Sequence, residues 1–334
     1  MKFISSILFI VGVTNFSFPA LAAKNSQNCE KVRAALDVGS GTAKALVAKV
    51  DLCQKKVLEV LMDEKTPIAF NQAFEAAGSK DIPTEFVESA IEKLTPMVSK
   101  IKSFKPQSIK GAATSVFRKA LNGAEVAKKI SRTLKIDLKV ASQAEEARLG
   151  MVSAMVALGI ESTDQLMVWD IGGGSMQMVA LNQGTVEIYE GSLASVGFKN
   201  MVIEAMQGKD LNKVTSPNPL GQQKLNILKL AESYARLHLP NFFKAKARQM
   251  RVVGVGGVLA MSVQNQVANK SNSFTRESLE STYLKNADLK DEEIQSEYRE
   301  SDITNLALVF GFMKALGIEQ VETAKVSLAQ ALLF

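Results

Sequence analysis

The sequence predicts an α/β protein built from two similar halves that face one cleft. Two segments, residues 36–47 and 169–180, share a pattern of an apolar strand, an acidic residue, a glycine turn with a hydroxyl and a second strand. Around them strand patterns alternate with helical ones, as in α/β folds. A single Asp-Gly turn is weak support, because Asp and Gly are ordinary hairpin formers. The repeat indicates two related half-domains.

The elements follow one another in the order that such a fold requires. In the first half, strand patterns lie at residues 34–50, where two strands pair, and at 57–63, 108–114 and 137–140. Helical patterns lie at 83–104 and in the stretch that runs through residue 129. The second half repeats the scheme from Gln165, with a strand at 250–253, helices near 221–236 and 303–316, and a polar surface loop around 269–276.

The first 22 residues have the pattern of a cleavable signal peptide. Lys2 leads into an apolar stretch at residues 3–13, and small residues at 20–22 place the cleavage site after Ala22. The apolar stretch is too short to span a membrane, and no later stretch approaches the required length. We therefore expect a periplasmic or secreted protein with no membrane association after cleavage.

Composition is typical of a folded protein, and the net charge favours anionic partners. About 310 residues follow Ala22, enough for two domains of ordinary size. The formal charge of +6 favours an anionic ligand. Basic residues gather in three runs: Lys100, Lys102, Lys105 and Lys110; Lys128, Lys129, Arg132, Lys135 and Lys139; Lys244, Lys246, Arg248 and Arg251. Each run is either a solvated face or part of a polyanion groove. No aromatic residues for stacking bases are interleaved with them, so nucleic acid is not the expected partner.

The two cysteines, Cys29 and Cys53, flank the first Asp-Gly hairpin at its open end. An exported protein can join them by a disulfide that staples the strand pair, and free buried thiols are the alternative. Two cysteines alone are a poor metal site, and the single histidine, His238, lies in an apolar helical context that indicates a structural role. Catalytic triads that need histidine are excluded.

Five segments, in order along the chain, resemble the motifs of the Ppx/GppA phosphatases, a family of exopolyphosphatases and guanosine pentaphosphate phosphohydrolases. Residues 36–40, 113–122, 145–149, 170–175 and 254–257 read LDVGS, ATSVFRKALN, EEARL, DIGGGS and GVGG. The resemblance extends from about Arg33 to the C-terminus. It implies a duplicated ribonuclease-H-like fold of the actin-like ATPase superfamily, with two domains around a central cleft, and such proteins often form dimers.

With this fold we place the first domain at residues 29–143 and the second at 144–311. A C-terminal helix at about 312–334 is expected to pack back on the first domain.

The resemblance also implies a role for each motif residue. Glu146 would be the general base that acts on water, and Arg118 would bind a phosphate. Asp37 and Asp170 would orient Mg²⁺ or another divalent cation, directly or through water. The phosphates would be bound by Gly39, Ser40, Gly41, Gly172, Gly173, Gly174, Ser175, Gly256 and Gly257. By themselves, Glu145 and Glu146 are typical of exposed charges on a helix, and Arg118 of a salt bridge.

Some positions depart from the family pattern, so three functions remain open. Gln177 stands where the family has a glutamate, and Val258 where it has a hydroxyl residue. We favour an exported phosphohydrolase that cleaves terminal phosphoanhydride bonds of inorganic polyphosphate, or of guanosine pentaphosphate, by glutamate-activated attack of water. A catalytically degenerate polyphosphate- or nucleotide-binding module is the first alternative. The second is an actin-like kinase or ATPase, because Asp37 through Lys44 also resembles those proteins, but ATP is scarce outside the cytoplasm.

Overall fold

Two mixed β-sheets form the frame of the molecule. The computed structural model describes residues 29–160, 162, 165–267 and 271–334, so the predicted signal peptide at residues 1–22 lies outside the described residues. The strands are β1 (Glu30–Val38), β2 (Thr42–Asp51), β3 (Lys56–Pro67), β4 (Ile109–Ala113), β5 (Asp137–Val140), β6 (Leu166–Ile171), β7 (Met176–Asn182), β8 (Thr185–Gly191), β9 (Arg251–Val255), β10 (Ser273–Thr275) and β11 (Gln320–Thr323).

The helices cover the faces of these sheets. They are α1 (Phe70–Ala76), α2 (Thr84–Ser103), α3 (Val116–Lys119), α4 (Gly123–Leu134), α5 (Gln143–Leu158), α6 (Ser195–Met201), α7 (Lys224–His238), α8 (Asn241–Lys246), α9 (Gln264–Val267), α10 (Arg276–Asn286), α11 (Arg299–Leu316) and α12 (Ala329–Leu332). Two π-helical segments, Val202–Met206 and Val258–Val263, adjoin α6 and α9. Within the described ranges, no helix is both long and apolar enough to cross a bilayer.

The strand order shows the duplication directly. The first sheet has the order β3-β2-β1-β4-β5, and the second has β8-β7-β6-β9-β11, with β10 added at its edge. In each sheet the first three strands are antiparallel and the next two run parallel to the central strand. The predicted α/β fold of two similar halves is therefore confirmed. Because each Asp-Gly hairpin supplies the second and third strands of its sheet in this order, the two hairpins occupy equivalent places.

Each sheet has its own apolar core. In the first, Phe70 and Phe117 pack together with ring centroids 4.8 Å apart, among side chains from α2 and α4. In the second, Trp169 on β6 packs against Phe312 of α11 at 5.9 Å. The central strands β1 and β6 are apolar on both faces because helices and loops cover both sides.

Two segments connect the halves. Helix α5 follows the first sheet and packs its Ala147 and Met151 against β6 and β9 of the second. The C-terminal segment returns, so that Ala329 and Leu333 are buried against Leu46 and the neighbouring strands of the first sheet.

The predicted C-terminal helix at about 312–334 is wrong. Helix α11 ends at Leu316 because Gly317 adopts a left-handed conformation, with φ +67°. Residues 320–323 then form β11, which pairs with β9, and only the short α12 packs on the first domain. The predicted loop at 269–276 also contains a strand, β10, whose Phe274 is buried opposite Val321 of β11. These pairings depend on partners far away in the chain.

The cysteines are joined by a disulfide at the open end of the β1–β2 hairpin. Their Cα atoms are 5.6 Å apart. His238 ends α7, where its ring stacks on Tyr234 at 3.9 Å and its Nδ1 lies 2.9 Å from the Tyr234 carbonyl oxygen. Two of the basic runs are adjacent, because Lys102 at the end of α2 donates to the Leu134 carbonyl at the end of α4.

Candidate active site

The two Asp-Gly hairpins have the same local geometry. The Gly39 backbone N–H donates to the Thr42 carbonyl at 3.0 Å, and the Gly172 N–H donates to the Ser175 carbonyl at the same distance. The remaining amides of the two turns, at Ser40, Gly41, Gly173 and Gly174, donate to no described acceptor. Glycines allow a ligand to approach such amides closely, and successive free N–H groups form an anion-binding concavity. Both predicted phosphate loops therefore have amides available for an anion.

The cross-strand register places a polar side chain opposite each aspartate. Asp37 on β1 faces Lys44 on β2, and Asp170 on β6 faces Gln177 on β7. Directly opposed residues project from the same face of an antiparallel pair. The two halves thus present equivalent acid–donor pairs, with an ammonium in one half and an amide in the other.

The two aspartates interact electrostatically, and Asp37 is buried whereas Asp170 is partly exposed. Burial raises the pKa of Asp37, and the Lys44 charge and a hydrogen bond from the Leu328 backbone N–H oppose that rise. Desolvation raises the pKa of Asp170 to about 6, with the charge of Lys44 opposing the rise and the charge of Asp37 adding to it. Lys44 acts on the carboxylates of both domains. The C-terminal segment also contributes to the site through Leu328.

The start of α5 separates the roles of two adjacent glutamates. Ser142 caps the helix, its hydroxyl accepts from the Glu145 backbone N–H, and the Glu145 carboxylate accepts from the Ser142 N–H at 2.7 Å. These hydrogen bonds lower the pKa of the exposed Glu145. Glu146 instead points inward and is 8% exposed. The expectation that both are exposed helix charges is wrong for Glu146, because the helix packs this face between the domains.

Glu146 is buried beside an arginine from the first domain. Its Oε2 lies 2.6 Å from Nη1 of Arg118, which also donates to the Ala141 carbonyl at 3.1 Å. Burial raises the pKa of Glu146 to about 7, and the Arg118 charge opposes this rise while Asp170 and Asp37 add to it. A carboxyl group with a pKa near neutrality exchanges protons readily, which suits a general acid or base.

The late glycine turn lies against the second aspartate. Gly256 has φ +80°, and a Cβ at this position would lie 2.1 Å from Oδ1 of Asp170. Only glycine fits both the conformation and the space. Val258 begins the π-helical segment and is buried in the core of the second domain at 3% exposure. The position where the family has a hydroxyl therefore contributes to packing in this chain.

The first domain contacts the second phosphate loop directly. Lys119 Nζ donates to the Gly174 carbonyl at 3.2 Å, and a Cβ on Gly174 would lie 3.0 Å from the Ser115 hydroxyl oxygen. Ser115 has φ +28°, a strained value for a non-glycine residue. Neither Ser115 nor Lys119 is a predicted site residue. Lys44 belongs to the segment that resembles kinases and is not a predicted site residue either. The pairing of β1 with β2 places it beside Asp37.

Several buried polar atoms around this cleft have no hydrogen-bond partner among the described residues. They are the hydroxyls of Ser40 and Ser115, the Nε2 amide nitrogen of Gln177 and the Oε2 of Glu146, whose charge is paired with that of Arg118. Burying an unpaired polar group costs free energy, so such groups mark a place where a polar ligand would complete the hydrogen bonding. Ser40 lies in the turn between β1 and β2, Ser115 immediately precedes α3, and Gln177 lies on β7.

The carboxylates of the cleft fit a hydrated divalent cation. Asp37, Asp170 and Glu146 bring negative charge together, and carboxylate oxygens are the ligands that Mg²⁺ prefers. Among the described residues, one group of three potential metal ligands has atoms that all lie within 4.8 Å of one another. It consists of Cys29, Asp51 and Cys53, and the thiols of the two cysteines form the disulfide. The cleft carboxylates are therefore not such a group, and their link to a cation site rests on their ligand chemistry and their shared electrostatics.

The structure thus brings together the predicted site residues from every motif. Asp37, Asp170, Glu146 and Arg118 interact with one another, both phosphate loops border them, and the late glycine turn touches Asp170. A profile of the Ppx/GppA phosphatase family matches residues 46–333. The chain belongs to the Ppx/GppA phosphatase family.

Solved structures with the same fold include other members of the Ppx/GppA family. The family member of Aquifex aeolicus superimposes with a TM-score of 0.72 at 15% identity, over 91% of this chain and 96% of that one. An exopolyphosphatase from Cytophaga hutchinsonii superimposes with a TM-score of 0.68 at 17% identity, over 89% and 95% of the two chains. No curated protein matches the sequence. At these identities the neighbours establish the shared fold.

Proposed function

We propose that this protein is an exported phosphohydrolase that removes the terminal phosphate from inorganic polyphosphate or from guanosine pentaphosphate. The observation that carries the proposal is the buried Glu146 beside Arg118, with its pKa raised to about 7 and a phosphate loop from each domain bordering it. Family membership supports phosphohydrolase activity. Hydrolysis of a phosphoanhydride needs a positioned water and groups that stabilise negative charge, and little covalent chemistry from the protein.

In the proposed reaction, Glu146 accepts a proton from water while the water oxygen attacks the terminal phosphorus. The new P–O bond forms as the bond to the bridging oxygen breaks, so that inorganic phosphate and a substrate shorter by one phosphate are released. Arg118 and the free amides of the two loops donate hydrogen bonds to the phosphate oxygens. The guanidinium also holds the Glu146 carboxylate in place.

Asp37 and Asp170 are the residues that would hold Mg²⁺ or another divalent cation. When bound, such an ion neutralises charge on the phosphate oxygens. Lys44 lies near both aspartates and supplies a fixed positive charge to the same region. Release of phosphate should consequently depend on a divalent cation and decline when EDTA removes it.

The first experiment is to measure phosphate release by the purified mature chain from long-chain polyphosphate and from guanosine pentaphosphate, with Mg²⁺. Glu146→Gln should abolish release but retain binding, because the amide cannot accept the proton. Glu145→Gln is the matched control, since glutamine also serves in a capping box, and it should keep nearly full activity. Equal rates for Glu146→Gln and the native chain would remove Glu146 as the base.

The rate should also depend on pH with a definite sign. Glu146 must be ionised to accept a proton, so its pKa of about 7 predicts a rate that is low in acid and rises through neutrality. The profile of kcat/KM between pH 5 and pH 9 measures this. A rate that is unchanged across that range would contradict the role of Glu146.

Export favours polyphosphate as the substrate, because guanosine pentaphosphate is a cytoplasmic signal. The predicted signal peptide supports this location. Expression of the full chain in a bacterial host, followed by fractionation and N-terminal sequencing, tests it: a mature N-terminus at Ala23 in the periplasm or medium is expected. A full-length cytoplasmic product would overturn the proposed export.

A phosphate-binding module without turnover is the second candidate. Gln177, which is 2% exposed, supplies a neutral amide at the position where the resemblance implies a glutamate. Under this alternative the native chain binds polyphosphate but releases no phosphate with any divalent cation.

A further inference from the structure

Gln177 occupies a defined place in the second half of the site. It lies on β7 directly opposite Asp170, with Glu190 of β8 on its other side. The side chain is 2% exposed, and its Nε2 has no hydrogen-bond partner in the part of the chain that the structure describes. Glu190 is exposed and makes no hydrogen bond with it. A buried, unpaired NH₂ group is costly, which indicates that a ligand supplies the acceptor.

The first half shows what this position does in the duplicated fold. There the residue opposite Asp37 is Lys44, which is a donor only. The equivalent position in the second half, Gln177, also supplies a donor, the NH₂ group that lacks a partner. Both halves therefore present hydrogen-bond donors beside their aspartate, and phosphate oxygens accept from such donors.

An amide nitrogen does not bind a divalent cation, and the amide oxygen carries no formal charge. The unpaired atom of Gln177 is the nitrogen, which suits an anion. We propose that Gln177 is a phosphate-binding residue of the second loop, which donates from Nε2 to an oxygen of a substrate phosphate and takes no part in binding the cation. This inference rests on the proposed function and defines how that site holds its substrate.

The test is the affinity for tripolyphosphate, measured by isothermal titration calorimetry with EDTA and then with Mg²⁺. Gln177→Met removes the donor at similar volume, and in EDTA it should weaken binding about tenfold or more, because a hydrogen bond to a charged group is lost. Gln177→Glu should weaken binding in EDTA by repulsion, and Mg²⁺ should restore it. Asn182→Asp, at the far end of β7, is the control for added charge and should bind as the native chain does.

Thermal unfolding without ligand gives a second readout. Because the amide is unpaired when the site is empty, Gln177→Met should be at least as stable as the native protein. Gln177→Leu provides the same test if the methionine variant does not fold. In turnover assays, Gln177→Met should raise KM and leave kcat nearly unchanged.

The outcomes separate the two proposals. If the native chain releases phosphate but Gln177→Met binds tripolyphosphate equally well in EDTA, the role of Gln177 is refuted and the proposed function stands. If the native chain binds tripolyphosphate through Gln177 without releasing phosphate, the phosphohydrolase proposal fails and the role of Gln177 stands. If tripolyphosphate binds neither in EDTA nor with Mg²⁺, the role of Gln177 is refuted, and the phosphohydrolase proposal is decided by phosphate release from long-chain polyphosphate and guanosine pentaphosphate.

Discussion

Replacing Glu146 with glutamine should make the protein more stable above neutral pH while it abolishes turnover. Glu146 is buried, so its ionised form is less favourable in the folded protein than in the unfolded chain. Glutamine has nearly the same shape as the protonated carboxyl group and carries no charge at any pH. The variant therefore avoids the cost of a buried charge that catalysis requires, an example of the trade-off between stability and activity.

The size of this difference in stability follows from the pKa of Glu146. An ordinary glutamate has a pKa of 4.5, whereas that of Glu146 is about 7. Below pH 4.5 the group is protonated in both states, and its full contribution to stability is present. As the pH rises the unfolded chain loses the proton first, so stability falls until the folded group has also ionised, near pH 7. The total loss is about 3 kcal/mol at 1.36 kcal/mol for each factor of ten in the dissociation constant.

The assay is urea unfolding of both proteins in EDTA at pH 4 and pH 8. Glu146→Gln should match the native chain at pH 4 and exceed it by about 3 kcal/mol at pH 8. Glu145→Ala is the control with the opposite sign, because the capping hydrogen bonds lower the pKa of Glu145 in the native chain. The stabilising contribution of Glu145 is therefore present at pH 8 and lost in acid. A Glu146→Gln variant that is less stable than the native chain at pH 8 would refute the reasoning.

Three further changes test the site and its frame. Gly256→Ala should destabilise the protein by at least about 2 kcal/mol in urea unfolding, because the Cβ meets Asp170 at a positive φ; unchanged stability would contradict the contact. Removing the Cys29–Cys53 disulfide by double alanine substitution should cost about 3 kcal/mol, given a separation of 24 residues, and leave kcat unchanged because the bond lies at the other end of β1 from the site. Arg118→Met should raise the pKa of the neighbouring glutamate and move the midpoint of the pH–rate profile upward, whereas an unmoved midpoint would exclude their coupling.

Much of the fold was predictable because it depends on local pattern. The Asp-Gly hairpins are encoded by alternating apolar residues and turn glycines, and β1, β2, β6 and β7 follow them. The predicted helix at 312–334 was wrong, because Gly317 ends α11 and the next residues pair with β9. Likewise β10 exists because its Phe274 is buried beside β11. Elements that depend on a distant partner have little signal in their own residues.

The candidate site was likewise predictable only in part. The motif residues were identified from the sequence, but their environment was not. The pattern Glu145-Glu146 does not reveal which glutamate is buried, whereas the folded chain uses one to cap α5 and encloses the other beside Arg118. Ser115 and Lys119 reach the second loop only because the two domains meet there.

The sequence by itself determined the duplicated α/β architecture, the family and the residues that define the two phosphate loops, because glycine turns, strand alternation and motif order are local properties of the chain. Only the tertiary structure decided the raised pKa of Glu146 and Asp170, the unpaired amide of Gln177 and the inward turn of the C-terminal segment onto Asp37. Those features depend on burial and on charges brought together from both domains. Desolvation and electrostatic coupling arise only when the chain has folded.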